Sequence, residues 1–301
     1  MSTQKIFKVV GLGEILWDLF PEGKLLGGAP ANFAYHINVL GNRGLAVSSV
    51  GSDELGREIL DTLKELGVAI DYIQINRRAE TGTVMVTVAA TGEPRFSICP
   101  VGAAWDHIAW TKELEQLAAE TDGLCFGSLA QRTPESRETI RRFIRSMADH
   151  ALRIFDVNLR QSYYSSSILS ESLELCSVVK LNNQELPIVL ALLGCKRMED
   201  EEDDCRLLLK AFGLDLVCLT RGAEGSIMLS REQVVAHPGL KVDVRDTVGA
   251  GDGFTAVLAH HLLKKSPLTR ISEAANSYGA WIAGCAGATP EANSAILKEV
   301  V

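Results

Sequence analysis

One run, Asp246-Thr247-Val248-Gly249-Ala250-Gly251-Asp252, places three small residues directly ahead of an acid. The β-branched Val242 and Val244 before it predict a strand, while Phe254, Val257, Leu258 and Leu262 after it recur at helical spacing. The small residues therefore fall where a strand turns into a helix. There the backbone N–H groups lack partners and the helix dipole favours negative charge. With no side chains in the way, a phosphate can approach them closely. An acid at that place repels a phosphate, unless its task is to take a proton from a hydroxyl that attacks the phosphorus. The same residues also fit a tight turn with an ordinary Asp near a helix N-cap, and on this run alone the two readings stand level.

The elements that must hold such a turn can be followed along the chain. Val9-Val10-Gly11-Leu12-Gly13-Glu14 reads as a buried first strand entering a glycine turn; Leu16 at the third glycine place removes a dinucleotide fingerprint, and with it a nicotinamide oxidoreductase. Pro30 suits the first turn of a helix that Gly41 ends, with Phe33, Ile37 and Leu40 as its buried stripe. Gly27 and Gly28 let backbone approach a ligand at its start, and Asn32 in its first turn can both donate and accept. A strand over 45–50 precedes a helix capped by Asp53. Residues 83–98 alternate about Thr91-Gly92-Glu93, a hairpin pattern.

Short apolar strands at 124–126, 152–155, 178–181 and 216–219 then alternate with helices over 134–147, 185–193 and 206–212. This predicts a parallel sheet covered on both faces, with ligands at the carboxyl ends of its strands. Three polar clusters fall there: Asp156 to Arg160, Asn182 to Glu185, and Thr220 to Gly225. The acidic run Glu199 to Asp204 reads as a solvated loop ahead of a helix.

A chain of 301 residues, 47% hydrophobic, has the length of two domains or equally of one large α/β domain with an ample core. A net charge of −8 argues against nucleic-acid or anionic-membrane partners, while leaving room for an anionic substrate held by a local cluster of Arg and Lys. Seven scattered cysteines without a C-x-x-C pair read as reduced thiols of a cytoplasmic protein. No apolar run has spanning length, no signal-peptide pattern opens the chain, and no Walker A sequence is present.

The run ending in Asp252 resembles the carboxy-terminal signature of the ribokinase-like (PfkB) carbohydrate kinases. Gly27-Gly28-Ala29-Pro30-Ala31-Asn32 resembles the amino-terminal one, in the form typical of fructokinases. Lesser matches extend the likeness over nearly the whole chain. It implies a single ribokinase-like α/β domain over 1–301: a doubly wound, mostly parallel sheet with helices on both faces, plus a small β lid formed by about 14–27 and 73–103. A lid keeps water from competing with the sugar as acceptor. The implied reaction is ATP-dependent phosphorylation of a primary hydroxyl, with D-fructose as the first choice. The alternatives are 2-keto-3-deoxygluconate, another aldose or a nucleoside. A non-catalytic sugar-binding regulatory protein is the reading from another class, and the retained Asp252 opposes it.

The resemblance also implies roles. Asp252 is the base, and the amides of Gly249, Ala250, Gly251 and Asp252 receive the phosphoryl oxygens. Asp18, Gly28 and Asn32 hold sugar hydroxyls, Arg95 and Phe96 lie on the lid, and Arg160 reaches the sugar or the transferring phosphoryl. Thr220, Gly222 and Gly225 lie near the ATP phosphates and Asn276 beside the adenine. Asn182 and Glu185 carry Mg²⁺ through water, because the ion sheds its hydration reluctantly. Asp246, with Gly284 to Thr289, implies a K⁺ site. Relatives also suggest a homodimer formed through the lids. Trp105 and His107 are expected to pack in the core rather than line the sugar pocket.

Overall fold

The structure, a computed structural model, describes residues 5–88 and 94–301, with only the backbone of Val88 and of 94–96 described. The turn Thr91-Gly92-Glu93 and the side chains of Arg95 and Phe96 lie outside the described residues.

In chain order the elements are β1 (Lys8–Leu12), β2 (Leu16–Phe20), β3 (Gly23–Gly27), α1 (Ala29–Val39), β4 (Arg43–Gly51), α2 (Glu54–Glu65), β5 (Ile73–Asn76), β6 (Gly82–Val88) and β7 (Pro94–Ile98). Then come α3 (Lys112–Glu120), β8 (Gly123–Phe126), α4 (Pro134–Ser146), β9 (Leu152–Asp156), α5 (Ser166–Leu175), β10 (Val178–Asn182), α6 (Glu185–Leu192), α7 (Glu201–Phe212) and β11 (Leu216–Thr220). Last are β12 (Ser226–Ser230), β13 (Val234–His237), α8 (Ala250–Leu263), α9 (Leu268–Ala283) and α10 (Ser294–Val300).

Nine strands form the main sheet in the order β13-β12-β11-β10-β9-β8-β1-β4-β5, parallel from β11 to β5 and antiparallel at the β11-β12-β13 edge. The chain leaves β1 toward β4 on one side and later returns to β8 on the other. That reversal opens a crevice beyond the carboxyl end of β1, where open α/β sheets bind ligands. Residue parity along the strands selects the covering layer. Val9, Cys125, Ile154, Val178 and Leu216 pack with Phe33, Ile37, Val257, Leu258 and Ile271 from α1, α8 and α9. Val10, Leu124, Phe155, Val179 and Val217 pack with Leu114, Ile140, Phe143, Leu190 and Leu208 from α3, α4, α6 and α7.

The lid is a separate four-stranded sheet, β3-β2-β6-β7. Leu16, Val84, Val86 and Ile98 on one of its faces join the main core cluster. β5, which falls inside the lid span expected from the sequence, instead pairs parallel with β4 and closes the edge of the main sheet.

Two other expectations are corrected. No strand forms at Val242 and Val244, which are 40% and 63% exposed. Branched side chains supply propensity, but a strand also needs an edge to pair with; here the backbone turns away, and the N–H groups of Arg245 and Asp246 bond to Ala283 O. The acidic run is no solvated loop. Asp200 caps α7 by accepting from Asp203 N, and Glu201 to Asp204 form its first turn, where the dipole favours them. Asp204 is fully buried and accepts from Arg197 Nε and Met198 N.

Candidate active site

The crevice is a cleft of about 560 Å³ between the lid and the strand ends. It brings together Asp18, Gly28, Asn32, Arg160, Asn182, Thr220, Gly249, Gly251 and Asp252, residues spread over most of the chain.

Gly249 caps α8 with φ 78, and no side chain caps that turn. A Cβ there would fall 2.5 Å from Ala288 Cα, so this glycine answers both a left-handed backbone and a close approach. Of the four amides expected to face a phosphate, Ala250 N–H turns back to Thr247 O at 3.3 Å. Asp252 lies in the first turn, and its Oδ2 accepts from Asn32 Nδ2 at 2.8 Å. The remaining oxygen of that amide, Asn32 Oδ1, is buried without a partner. An orphaned acceptor facing a ligand cleft is what a substrate hydroxyl would satisfy. Burial pushes the Asp252 carboxyl up to about 6, with the Asn32 bond opposing and the charge of Asp156 assisting. A carboxylate so poised is a competent base near neutral pH.

Beneath the turn lies a feature the sequence reading passed over. Lys180, in the middle of the apolar strand β10, is buried and bonds both oxygens of Asp156 at 3.1 and 3.0 Å. Thr255 Oγ1 donates to the same Asp156 at 3.0 Å. Burial works against the Lys180 charge, but Asp156, Glu185 and Asp252 together hold the ammonium above its ordinary range. A Cβ on Gly251 would meet Lys180 Nζ at 3.1 Å, so this cation stands at the wall of the phosphate turn. The available signal was a lysine inside a buried strand, a residue rarely found there without a task.

At the sugar end, the absent Cβ of Gly27 leaves room for Asp18 Oδ2 and that of Gly28 for Glu14 O. Burial raises Asp18 to about 6 against the pull of Arg160. Glu14, also passed over, lines the cleft at 5% exposure; burial raises it to about 7, Asp252 adds to that, and Arg160 and Arg132 oppose it. Trp105 is fully buried and His107 pairs with Glu135 at 2.8 Å, so Trp105 packs in the core as expected and His107 does not.

At the far end Thr220 lines the cleft. Gly222 is open, whereas a Cβ on Gly225 would strike His237 O at 2.1 Å, so that glycine serves the fold. Asn276, expected beside the adenine, is buried, and its amide donates to Ser226 Oγ and Ser272 O rather than lining the cleft. Glu185 accepts from Leu159 N and Asn182 N, and Asn182 Oδ1 from Gln184 N and Glu185 N. Their free lone pairs suit a hydrated ion better than a direct ligand cage, and no group of three His, Cys, Asp or Glu placed to hold a metal ion occurs among the described residues. Asp246 spends one oxygen on Val248 N and the other on Gly287 N, as a clip between two loops.

Comparison with known proteins decides the family: the model of the pfkB family carbohydrate kinases matches residues 22–295. The chain belongs to that family. It is therefore a carbohydrate kinase. It is similar to a fructokinase from Escherichia coli, 31% identical over 273 residues that cover 83% of each chain. An uncharacterized sugar kinase from Pyrococcus horikoshii, solved in complex with ATP, superposes with a TM-score of 0.82 at 26% identity, covering 97% of this chain and 100% of that one. A Vibrio cholerae fructokinase double mutant with fructose, ADP and potassium bound gives a TM-score of 0.82 at 25% identity, covering 99% of both chains. No helix among the described residues is long and apolar enough to cross a membrane.

Proposed function

We propose that this carbohydrate kinase transfers the terminal phosphoryl group of ATP to a primary hydroxyl of an unphosphorylated sugar, D-fructose being the first candidate. The observation that carries the reading is Asp252, held by Asn32 inside the cleft on the first turn of a helix whose start bears no capping side chain. Binding alone has no use for a buried base at that spot.

In this mechanism Asp18 and Asn32 hold hydroxyls of the sugar. The attacking oxygen loses its proton to an Asp252 oxygen as it bonds to the γ-phosphorus, and the bond to the ADP oxygen breaks. The Gly249–Asp252 turn and Lys180 stabilise charge on the phosphoryl oxygens. The nucleotide lies along the Thr220 side of the cleft. Mg²⁺, when bound with the nucleotide, offsets phosphate charge, and Glu185 and Asn182 would hold it through water. Arg160, at the mouth of the cleft, steadies the sugar or the phosphoryl group in transit.

The ionisable groups favour a neutral sugar. Glu14 and Asp18 line its end of the cleft. Lys24, on β3, pairs with Glu58 and stands 5.1 Å from the Trp17 ring centroid. A phosphorylated sugar or a sugar acid would bring its negative charge beside those carboxylates. The test is ADP release from Mg·ATP with fructose, ribose, 2-keto-3-deoxygluconate, adenosine and fructose 6-phosphate. Preference for a neutral sugar is expected. Turnover confined to fructose 6-phosphate or 2-keto-3-deoxygluconate would overturn the substrate reading, and no turnover with any acceptor would overturn the mechanism.

A further inference from the structure

Helix α1 does more than present Asn32. One turn further on, His36 is fully buried, with Nε2 2.9 Å from Ala288 O and Nδ1 3.1 Å from the Tyr278 hydroxyl. A carbonyl can only accept, so Nε2 carries the proton and Nδ1 accepts from Tyr278. Burial lowers His36 to about 4, so both bonds persist throughout the neutral range. The adjacent Tyr35 donates its hydroxyl to Pro290 O at 3.0 Å. Two consecutive side chains of α1 thus grip the backbone of 288–290.

That backbone is the surface on which the phosphate turn rests. The Cβ that Gly249 lacks would lie 2.5 Å from Ala288 Cα and 2.6 Å from Ala288 O, the oxygen that accepts from His36. Asp246 fastens the same two segments through Val248 N and Gly287 N. A shift of Ala288 by a few tenths of an ångström must move Gly249, and with it the amides at the head of α8, because such contacts leave no slack.

We propose that His36 is a positioning residue for the phosphate turn: its bond to the Ala288 carbonyl fixes the seat of Gly249 and so the aim of the Gly249, Gly251 and Asp252 amides. The helix that presents Asn32 to the base thereby also sets the nucleotide side of the site. This rests on the kinase mechanism proposed above for what the turn does, but the seating itself can be tested without turnover.

Two conservative variants separate the bonds. His36→Gln keeps a donor at the place of Nε2 and loses the Tyr278 contact, whereas His36→Asn keeps an acceptor near Nδ1 and leaves Ala288 O unpaired. Amide hydrogen exchange of the substrate-free protein is the first readout. Exchange over 246–250 and 285–290 is expected to quicken tenfold or more in His36→Asn and threefold or less in His36→Gln. Steady-state kinetics are the second. KM for Mg·ATP should rise about tenfold in His36→Asn, with the sugar KM changed little, and His36→Gln should recover most of the loss. A purely structural histidine would lower the melting temperature in both variants without separating them. Equal behaviour of the two in exchange would overturn the proposal, as would unchanged exchange in His36→Asn. Selective exchange in an enzyme silent on every sugar would uphold the seating and sink the kinase mechanism instead.

Discussion

Asn32 and Asp252 stand 220 residues apart in the chain, yet Asn32 Nδ2 lies 2.8 Å from Asp252 Oδ2. Each belongs to one of the two motifs on which the sequence reading relied, and the contact joins the start of α1 to the start of α8. The bond orients the carboxylate, and it stabilises the charged form against the burial that raises its pKa.

The base must be ionised to act, so raising its pKa moves the acid limb of activity upward. With Asp252 and Asp18 both at about 6, kcat/KM is expected to fall as pH drops through that value rather than near 4. Glu14 and Asp252 feel each other's charge, so the limb belongs to the group and not to one residue. Asn32→Ala removes a bond that favours the carboxylate and should push the limb to higher pH. Asp252→Asn should cost about 10²–10⁴ in kcat with sugar binding retained. A pH–rate profile for each enzyme checks the set; a flat wild-type profile down to pH 4.5 would remove Asp252 from the base role.

Glu14 should carry a cost in stability that depends on pH. Its carboxyl rises from an ordinary 4.5 to about 7. Between those values the folded chain keeps a proton that the unfolded chain has released, so stability is greatest below 4.5 and is lost as pH rises toward 7. Glu14→Gln removes the titration and should stabilise the protein by on the order of 1–3 kcal/mol at pH 8 and hardly at all at pH 4. Urea denaturation at the two values measures this. An equal gain at both would show that the effect is packing and not charge.

The alternation of apolar strands and helices, the hairpin of the lid and the caps at Asp53 and Gly41 were all readable, because each depends on a local period or a single backbone conformation. The pairing of β5 with β4 was not, since a four-residue strand is assigned by the edge it meets. Val242 and Val244 failed for the converse reason, having propensity without an edge. In the cleft, motif residues such as Asn32 and Asp252 stand together, while Lys180 and Glu14, which line it too, lie outside the motifs. Lys180 and Glu14 look like strand and turn residues until the fold sets them beside Asp156 and Asp252. Gly225 packs against His237 O and Asn276 bonds Ser226 and Ser272, and a glycine turn or a helical Asn looks the same in sequence whether it serves a ligand or a neighbouring backbone.

Glycines in the site should differ sharply in tolerance. Gly249 and Gly222 both have positive φ, 78 and 58, but only Gly249 has backbone inside the space of a Cβ. Gly222→Ala should cost about 1 kcal/mol, the price of the left-handed conformation alone. Gly249→Ala adds the clash with Ala288 and should also raise KM for Mg·ATP severalfold. Thermal melts with kinetics on both variants decide it; matching losses would mean that the Ala288 contact relaxes freely.

Arg132 should hold the lid to the body. Its side chain and that of Asp106 are 1% and 0% exposed, bonded through Nε–Oδ1 at 2.8 Å and Nη2–Oδ2 at 2.7 Å. The guanidinium also donates to Cys99 O at 3.0 Å and Pro100 O at 3.1 Å, where β7 leaves the lid, and it lies between the rings of Trp105 and Tyr163. Arg132→Leu leaves the Asp106 charge buried and should cost about 3–5 kcal/mol. Arg132→Lys keeps the charge but cannot reproduce the planar fork or the stacking. It should fold with a smaller loss, yet release the lid strand and admit water to the phosphoryl group. The sensitive readout is the ratio of sugar-independent ADP release to sugar phosphorylation, expected to rise severalfold in Arg132→Lys. An unchanged ratio in a stably folded variant would mean that the ion pair anchors the fold without governing the lid.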